Sequence, residues 1–315
     1  MEIKQDIPAW LDESHPNFLR WKIARDLSLE RGKFVHSIIN QPIETKNLSV
    51  LDLGSGEGGT SKVFSENNFV VSFDLSLIRL QRQLLNVIPK ESSTCLPDRQ
   101  AEESVNNIGS GLLSEFVPIF PGFEMTKPEL VNGSALQLPF SNHSFDLIII
   151  QDVIEHLTDT SDFYSEVERV LKSNGVIYLS TPNKLSVFNF ITDPHFGLPI
   201  ISILKRQSIK KYFLKQFRKD DYNRTDIAQL LSLNELINLF KNDYGISLHT
   251  KFSVQELFNG NKGIVWSHFH LKLIALCKFI KIDRAIKKIA NDKFGFINKY
   301  FTPTFYFTLS KKYNQ

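Results

Sequence analysis

The run Val50-Leu51-Asp52-Leu53-Gly54-Ser55-Gly56-Glu57-Gly58-Gly59 sets a carboxylate near the end of an apolar strand and follows it with a glycine-rich turn. A second apolar strand, Phe69-Val70-Val71-Ser72-Phe73, ends on Asp74. Glycine lets a backbone come close to a ligand because no Cβ intrudes. An acid closing the next strand can accept both hydroxyls of a ribose. Together these residues predict a site for an adenosine-containing cofactor between the first two strands. A tight strand-to-helix turn with no ligand is the competing reading of the same glycines.

The choice of cofactor rests on Asp52. Nicotinamide dinucleotides use G-x-G-x-x-G in the same place, but here a carboxylate would sit beside a pyrophosphate, negative against negative. Asp52 suits a cofactor with a positive amino-acid head, which points to S-adenosylmethionine.

The surrounding elements must position this turn. Helical spacing runs from about Asn17 to Asn40, through Phe18, Trp21, Leu27 and Phe34. Strands are expected at Leu48–Leu53, Phe69–Asp74, Leu130–Gly133, Leu147–Ile150 and Gly175–Ser180, with helices at Thr60–Asn67, Ser76–Val87 and Ser161–Leu171. The Leu147–Ile150 run is continuously apolar, as a strand covered on both faces must be. Alternating strands and helices predict an α/β fold with a doubly wound, mostly parallel sheet. Ser232-Leu233-Asn234-Glu235 is a capping box that opens another helix. Ile246–Phe252 reads as a strand, Val265–Ala290 as helical and Pro303–Ser310 as an alternating last strand. Residues 89–111 are polar and aperiodic, and 112–123 carry Pro118 and Pro121. We therefore expect an N-terminal helical segment over 1–46 and one domain over 47–315, with cap insertions at about 89–128 and 184–225.

Composition narrows the function classes. The 315 residues suit one domain with insertions, and 42% hydrophobic content supports a sizeable core. A net charge of +3 is too small to argue for nucleic acid. Cys95 and Cys277 lack metal-ligand spacing and fit a reducing compartment. Neither a signal peptide nor an 18-residue apolar run is present, so a cytoplasmic location is expected.

Four blocks, Val50–Gly59, Val70–Ser76, Gly133 to Glu155-His156, and Gly175 to Thr181-Pro182-Asn183, resemble the class I S-adenosylmethionine-dependent methyltransferases. The resemblance implies a Rossmann-like seven-stranded sheet whose last strand is antiparallel, with Pro303–Ser310 in that slot. It also implies the site roles. Gly54, Ser55, Gly56 and Gly58 would shape the methionine side, and Asp52 would face the amino group. Asp74 would take the ribose hydroxyls, with Leu75 against the adenine. Ser134, where the family usually has aspartate, and Ala135 would lie at the adenine edge. Gln151 and Asp152 would line the sulfonium side. The segment Asp152-Val153-Ile154-Glu155-His156 is similar to the E-x-x-E-H segment of ubiquinone-pathway O-methyltransferases and small-RNA 2′-O-methyltransferases. That similarity implies a divalent cation held by Asp152, Glu155, His156 and His195. Thr181-Pro182-Asn183 with Asp193-Pro194-His195-Phe196-Gly197-Leu198-Pro199 resembles methyltransferases of surface-polysaccharide and glycolipid synthesis.

An alcohol acceptor must lose a proton, and a positioned histidine can contribute ~10²–10⁴-fold. His156 and Glu155 are the expected catalytic pair. The competing reading is a packed histidine, with Glu155 merely favouring the following helix start. Two basic segments, about Leu204–Asp220 and Lys272–Lys299, read either as solvated helix faces or as a surface for phosphates. The expected activity is methyl transfer to a hydroxyl of a sugar, glycolipid or other small metabolite, with peripheral contact to an anionic membrane's inner face. The alternatives are an RNA ribose 2′-O-methyltransferase and a non-catalytic cofactor-binding protein. Oligomeric state is not legible.

Overall fold

The computed structural model describes residues 13–14, 18–87, 127–222, 224, 226–264 and 268–312. The insertion expected at 89–128 lies almost wholly outside them.

Seven strands form one sheet: β1 Ser49–Leu53, β2 Phe69–Asp74, β3 Glu129–Asn132, β4 Phe145–Gln151, β5 Leu171–Pro182, β6 Tyr244–Leu248 and β7 Thr304–Lys311. Their order is β3-β2-β1-β4-β5-β7-β6. The strands β1 to β5 pair in parallel, and β7 runs antiparallel to both its neighbours. The order reverses at β1, which has β2 on one side and β4 on the other. In open α/β sheets ligands bind outside the carboxyl ends of strands at such a point.

Strand side chains alternate between faces. Leu51, Leu53, Ile148 and Ile150 join one buried cluster with Phe163, Val167 and Phe240. Val50, Leu147 and Ile149 join the opposite one with Phe34, Val35, Ile38 and Ile39. Asp52 shares the parity of Val50 and so belongs to the second face.

That face is covered by N-terminal helices. The single helix expected over 17–40 is two, α1 Phe18–Asp26 and α2 Ser28–Ile39, interrupted at Leu27 with φ −96° and ψ 7°. Phe34, Val35, Ile38 and Ile39 of α2 are buried in the domain core, so this segment is part of the sheet's covering layer. Helix α3, Gly59–Phe64, crosses α2 with backbones in contact. A Cβ on Gly32 would lie 2.6 Å from the Gly59 carbonyl oxygen, and one on Gly59 would lie 2.2 Å from the Ser28 carbonyl carbon.

Helix α4 is Leu77–Val87 and α5 is Thr160–Val170, capped by Asp159, whose carboxylate accepts from the Ser161 and Asp162 N–H groups. The Ser232 capping box forms as expected and opens α6, Leu233–Phe240. The expected strand Ile246–Phe252 is corrected: β6 stops at Leu248, and Thr250–Asn259 is helix α7. Phe252 turns away to stack on Phe34, with ring centroids 6.2 Å apart, which fits a helical position rather than an alternating one. The expected Val265–Ala290 helix is α8, His268–Phe279, and α9, Ile282–Ile289, broken where Lys281 takes φ +59°.

We predict that Gly32→Ala destabilises the fold by about 1–3 kcal/mol through overpacking of the α2–α3 crossing. Urea unfolding checks this; a variant as stable as the parent would show that the crossing tolerates separation.

Candidate functional site

The turn after β1 is held open by glycines in the left-handed region: Gly54 has φ +76°, Gly56 φ +57° and Gly58 φ +75°. Only glycine adopts such values freely. Gly54 also abuts the chain after β4, since a Cβ there would sit 2.3 Å from Val153 Cγ2. Two side chains clamp the turn. Asp74 Oδ2 accepts the Gly56 N–H at 2.9 Å while its Oδ1 accepts the Ser76 N–H at 2.8 Å. Gln83 of α4 donates Nε2–H to the Gly56 carbonyl at 2.8 Å and to Ser55 Oγ at 3.0 Å.

Asp52 is buried, and Ser61 Oγ donates to its Oδ2 at 2.6 Å. Ser61 Oγ lies 2.7 Å from Ser72 Oγ, and Ser72 Oγ donates to Gln83 Oε1 at 2.7 Å. The chain therefore runs Asp52–Ser61–Ser72–Gln83 and ends on the glycine turn. Each hydroxyl carries one proton. With Asp52 ionised, Ser61 and Ser72 spend theirs on Asp52 and Gln83, and the contact between the two serines holds none. A proton on Asp52 completes the chain, because the carboxyl can then donate to Ser61. Burial, the largest cause, pushes the Asp52 carboxyl up to about 6, against the opposing hydrogen bonds from Ser61.

The corner after β4 carries the other polar groups. Thr60 Oγ1 donates to Gln151 Oε1 at 2.8 Å, tying α3 to this corner. Asp152 stands at φ +51°, a strained value for a non-glycine residue. Its carboxylate lies 3.9 Å from Arg31 of α2 and 3.4 Å from Ser180 Oγ. Residues Ile154–His156 then form a 3-10 turn. Glu155 is fully buried; Thr181 Oγ1 donates to its Oε2 at 3.0 Å, and its Oε1 has no hydrogen-bond partner. Burial and the nearby Asp152 charge hold the Glu155 carboxyl well above the usual carboxylate range.

His156 Nδ1 is 2.8 Å from the Asp226 carbonyl oxygen. A carbonyl only accepts, so Nδ1 carries the proton and Nε2 keeps its lone pair. Burial, with His195 adding to it, brings His156 down to about 4, so the ring is neutral near pH 7. The His195 and His156 rings meet edge to face at 5.1 Å, and His195 Nε2 is 3.8 Å from Glu155 Oε1. One ligand atom from each of Glu155, His156 and His195 lies within 4.8 Å of the others. Among the described residues Asp152 is not part of this cluster, because its carboxylate faces Arg31 and Ser180. The four-ligand set expected from the resemblance is thus three residues here.

Of the remaining predicted site residues, Leu75 is 76% exposed just past Asp74. Ser134 Oγ accepts the Leu136 N–H at 3.2 Å, and Ala135 packs half-buried against the core. Several positioning residues escaped the sequence reading. Gln83 and Ser61 lie on helices whose polar positions look like ordinary solvent-facing ones. Arg206, counted with the basic segment 204–220, donates to the carbonyls of Ile227, Glu155 and Leu157. Arg218 of the same segment donates to the Phe196 carbonyl. Both arginines fasten chain to chain, which corrects their reading as surface charges.

One reversed strand, β7, set between β5 and β6 of an otherwise parallel sheet, with a glycine turn after β1 and an acid closing β2, defines the fold. The family model described as "Methyltransferase domain" matches residues 119–179. That match, over about a fifth of the chain, is to methyltransferases, and the sheet order is the one the sequence resemblance implies. The chain is 40% identical over 58 residues to a "Probable S-adenosylmethionine-dependent methyltransferase" of Mycolicibacterium smegmatis, covering 18% of this chain and 23% of that one. It is 27% identical over 151 residues to a sarcosine/dimethylglycine N-methyltransferase of Aphanothece halophytica, covering 48% and 43%. The solved phosphoethanolamine N-methyltransferase 2 of Haemonchus contortus aligns with a TM-score of 0.45 at 16% identity, over 90% of this chain and 53% of that one. The matched segments span less than half the length of the two curated relatives.

The Asp52 chain gives this domain a testable pH signature. A carboxyl raised in the folded state means that the native protein binds more protons than the unfolded one between about pH 4 and 6. Stability from this group therefore falls as pH rises through that window and is level above it. Asp52→Asn keeps a neutral side chain able to donate to Ser61. It should be more stable than the parent at pH 8 by about 1–3 kcal/mol, and nearly equal to it at pH 4. Urea unfolding of both proteins at the two pH values checks this. An equal difference at both would mean that Asp52 is not proton-linked.

Proposed function

We propose that this chain catalyses S-adenosylmethionine-dependent methyl transfer to a hydroxyl of a sugar, glycolipid or other small metabolite. The observation that carries the reading is the turn of three left-handed glycines held by Asp74 and Gln83 at the switch point of the sheet. A Cβ at Gly56 would meet only the Gly54 carbonyl oxygen, at 4.0 Å, so the backbone there is bare and able to lie against a ligand. Asp74 would hold the ribose, and the exposed Leu75 would cover one face of the adenine. Ser134, Ala135 and Gln151 would complete the pocket wall, with Gly54, Ser55, Gly56 and Gly58 beside the amino-acid portion. Asp52 lies behind that portion and would sense its positive charge through the serine chain. When bound, the cofactor supplies an electrophilic methyl group on a sulfonium. The protein's part is alignment, an effect worth up to ~7–11 kcal/mol.

The acceptor reading rests on Glu155, His156 and His195. Relatives named for sarcosine/dimethylglycine and for demethylmenaquinone show that the fold alone does not select an acceptor. A hydroxyl acceptor needs a group to take or weaken its proton, and the His156 Nε2 lone pair is such a group. A base near pKa 4 accepts a proton weakly, however. Neutral imidazoles and a buried carboxylate with an unpartnered oxygen suit a divalent cation such as Mg²⁺, Mn²⁺ or Zn²⁺. We therefore assign these three side chains to hold a cation that acidifies the acceptor hydroxyl.

Two measurements test these assignments. Calorimetric titration with S-adenosylhomocysteine should show binding that weakens about 10–100-fold in Asp74→Ala, since charge-assisted hydrogen bonds contribute ~1.5–3 kcal/mol. A folded parent that does not bind would sink the cofactor reading. Titration with Mn²⁺ should show one site that is lost in His195→Ala and Glu155→Gln; silence in the parent would remove the cation.

A further inference from the structure

A large apolar, basic face stands outside the site. Helix α8 is exposed along almost its whole length from Leu271, and Phe279 at its end is 84% exposed. Ile280 and Ile289 are each 56% exposed, and Phe296 is 67% exposed. The exposed side chains of α8 mix apolar Leu271, Leu273, Leu276 and Phe279 with the cations Lys272 and Lys278. So many large apolar side chains exposed within one stretch of chain point to an interaction site.

Charge identifies the occupant. Residues 268–301 carry eight Lys and Arg side chains against two acids, Asp283 and Asp292. In α9 the apolar stripe Ile282, Ile286, Ile289 runs beside Arg284 and Lys288, while Lys272 lies along α8 and Lys278 and Lys281 flank the α8–α9 corner. Two copies of this face brought together would set like charge against like charge. An anionic lipid surface satisfies both features, burying the apolar side chains and pairing the cations with headgroups. Among the described residues no helix is long and apolar enough to cross a membrane. The twelve residues of α8 reach only about 18 Å, against about 30 Å of hydrocarbon.

The face runs on to the rim of the site. Asn183, at the end of β5, donates Nδ2–H groups to the carbonyls of Lys299 at 3.0 Å and Thr302 at 2.8 Å. Asn189 donates to the Pro303 carbonyl at 2.7 Å. These bonds lay the single-turn helix Val187–Ile191 against the 298–303 segment. Phe188 at 48% and Ile191 at 62% exposure extend the apolar surface there. Two residues before Asn183, Thr181 holds Glu155.

We propose that residues 271–301 together with 187–191 form a docking face for an anionic phospholipid membrane, and that the methyl acceptor is borne by that membrane. The second half rests on the methyltransferase reading; the docking itself does not.

The test is co-sedimentation of the full chain with vesicles of phosphatidylcholine containing phosphatidylglycerol, and with phosphatidylcholine alone. Strong binding to the anionic vesicles, weakened by salt and reduced about tenfold or more in Phe279→Glu/Phe296→Glu, supports the proposal. Both positions are exposed, so the double variant should keep its melting temperature and its S-adenosylhomocysteine affinity. Asp74→Ala should lose the cofactor yet still pellet with vesicles, which separates failure of docking from failure of the cofactor reading. Absence of binding by the parent, or equal binding by the double variant, overturns the proposal. So does light scattering that shows a dimer split by the same substitutions, since the face would then join two copies.

Discussion

The turn after β1 constrains everything around it. Its backbone must pass through three left-handed glycines, and such a path has no intrinsic preference over many others. It is selected by groups that reach it from elsewhere: Asp74 from the end of β2, Gln83 from α4 and Val153 from the corner after β4. The same contacts make the β2, α4 and β4 corners depend on one another. A change in any of them moves the bare backbone on which a ligand would rest.

Buried carboxylates give this end of the sheet its electrostatic character. Asp52, Asp152 and Glu155 are all raised by burial, in each case the largest cause. Removing a carboxylate from water disfavours its charged form unless a cation or enough hydrogen bonds replace the water. Arg31 lies near Asp152 and Ser61 serves Asp52, but Glu155 has only Thr181 on one of its two oxygens. A site arranged in this way favours positive charge on arriving. The cationic amino-acid head and the divalent cation proposed for this end of the sheet would each meet that condition.

The chain after β5 closes the other wall. It returns past Arg206, whose guanidinium gathers the carbonyls of Glu155, Leu157 and Ile227. Gln229 donates its N–H to the same Glu155 carbonyl at 2.8 Å. His195 and the Asp226 carbonyl that orients His156 both come from this excursion. The basic residues of this region are therefore divided in purpose. Some hold backbone in place, while those on α8 and α9 stand with exposed apolar side chains and face outward.

The α/β class, the order of strands along the chain, the glycine turn, Asp74 and the Ser232 capping box were all legible from residue types, because periodicity and turn chemistry are local. The boundaries were less so. Apolar alternation through Ile246 and Leu248 gave no sign that Phe252 would leave the strand to stack on Phe34. The helical pattern over 265–290 did not announce the left-handed residue at Lys281. The resemblance to the E-x-x-E-H segment also grouped Asp152 with Glu155, His156 and His195. Only the tertiary structure separated them. It turned Asp152 toward Arg31 and brought His195 in from 39 positions beyond His156. It alone could show that Asp52 acts through Ser61, Ser72 and Gln83, because a hydrogen-bond chain that crosses two strands and two helices leaves no spacing in the sequence. Local propensity decides which elements form, whereas the direction of a buried polar side chain is decided by whichever donor or charge the packing sets within about 3–4 Å of it.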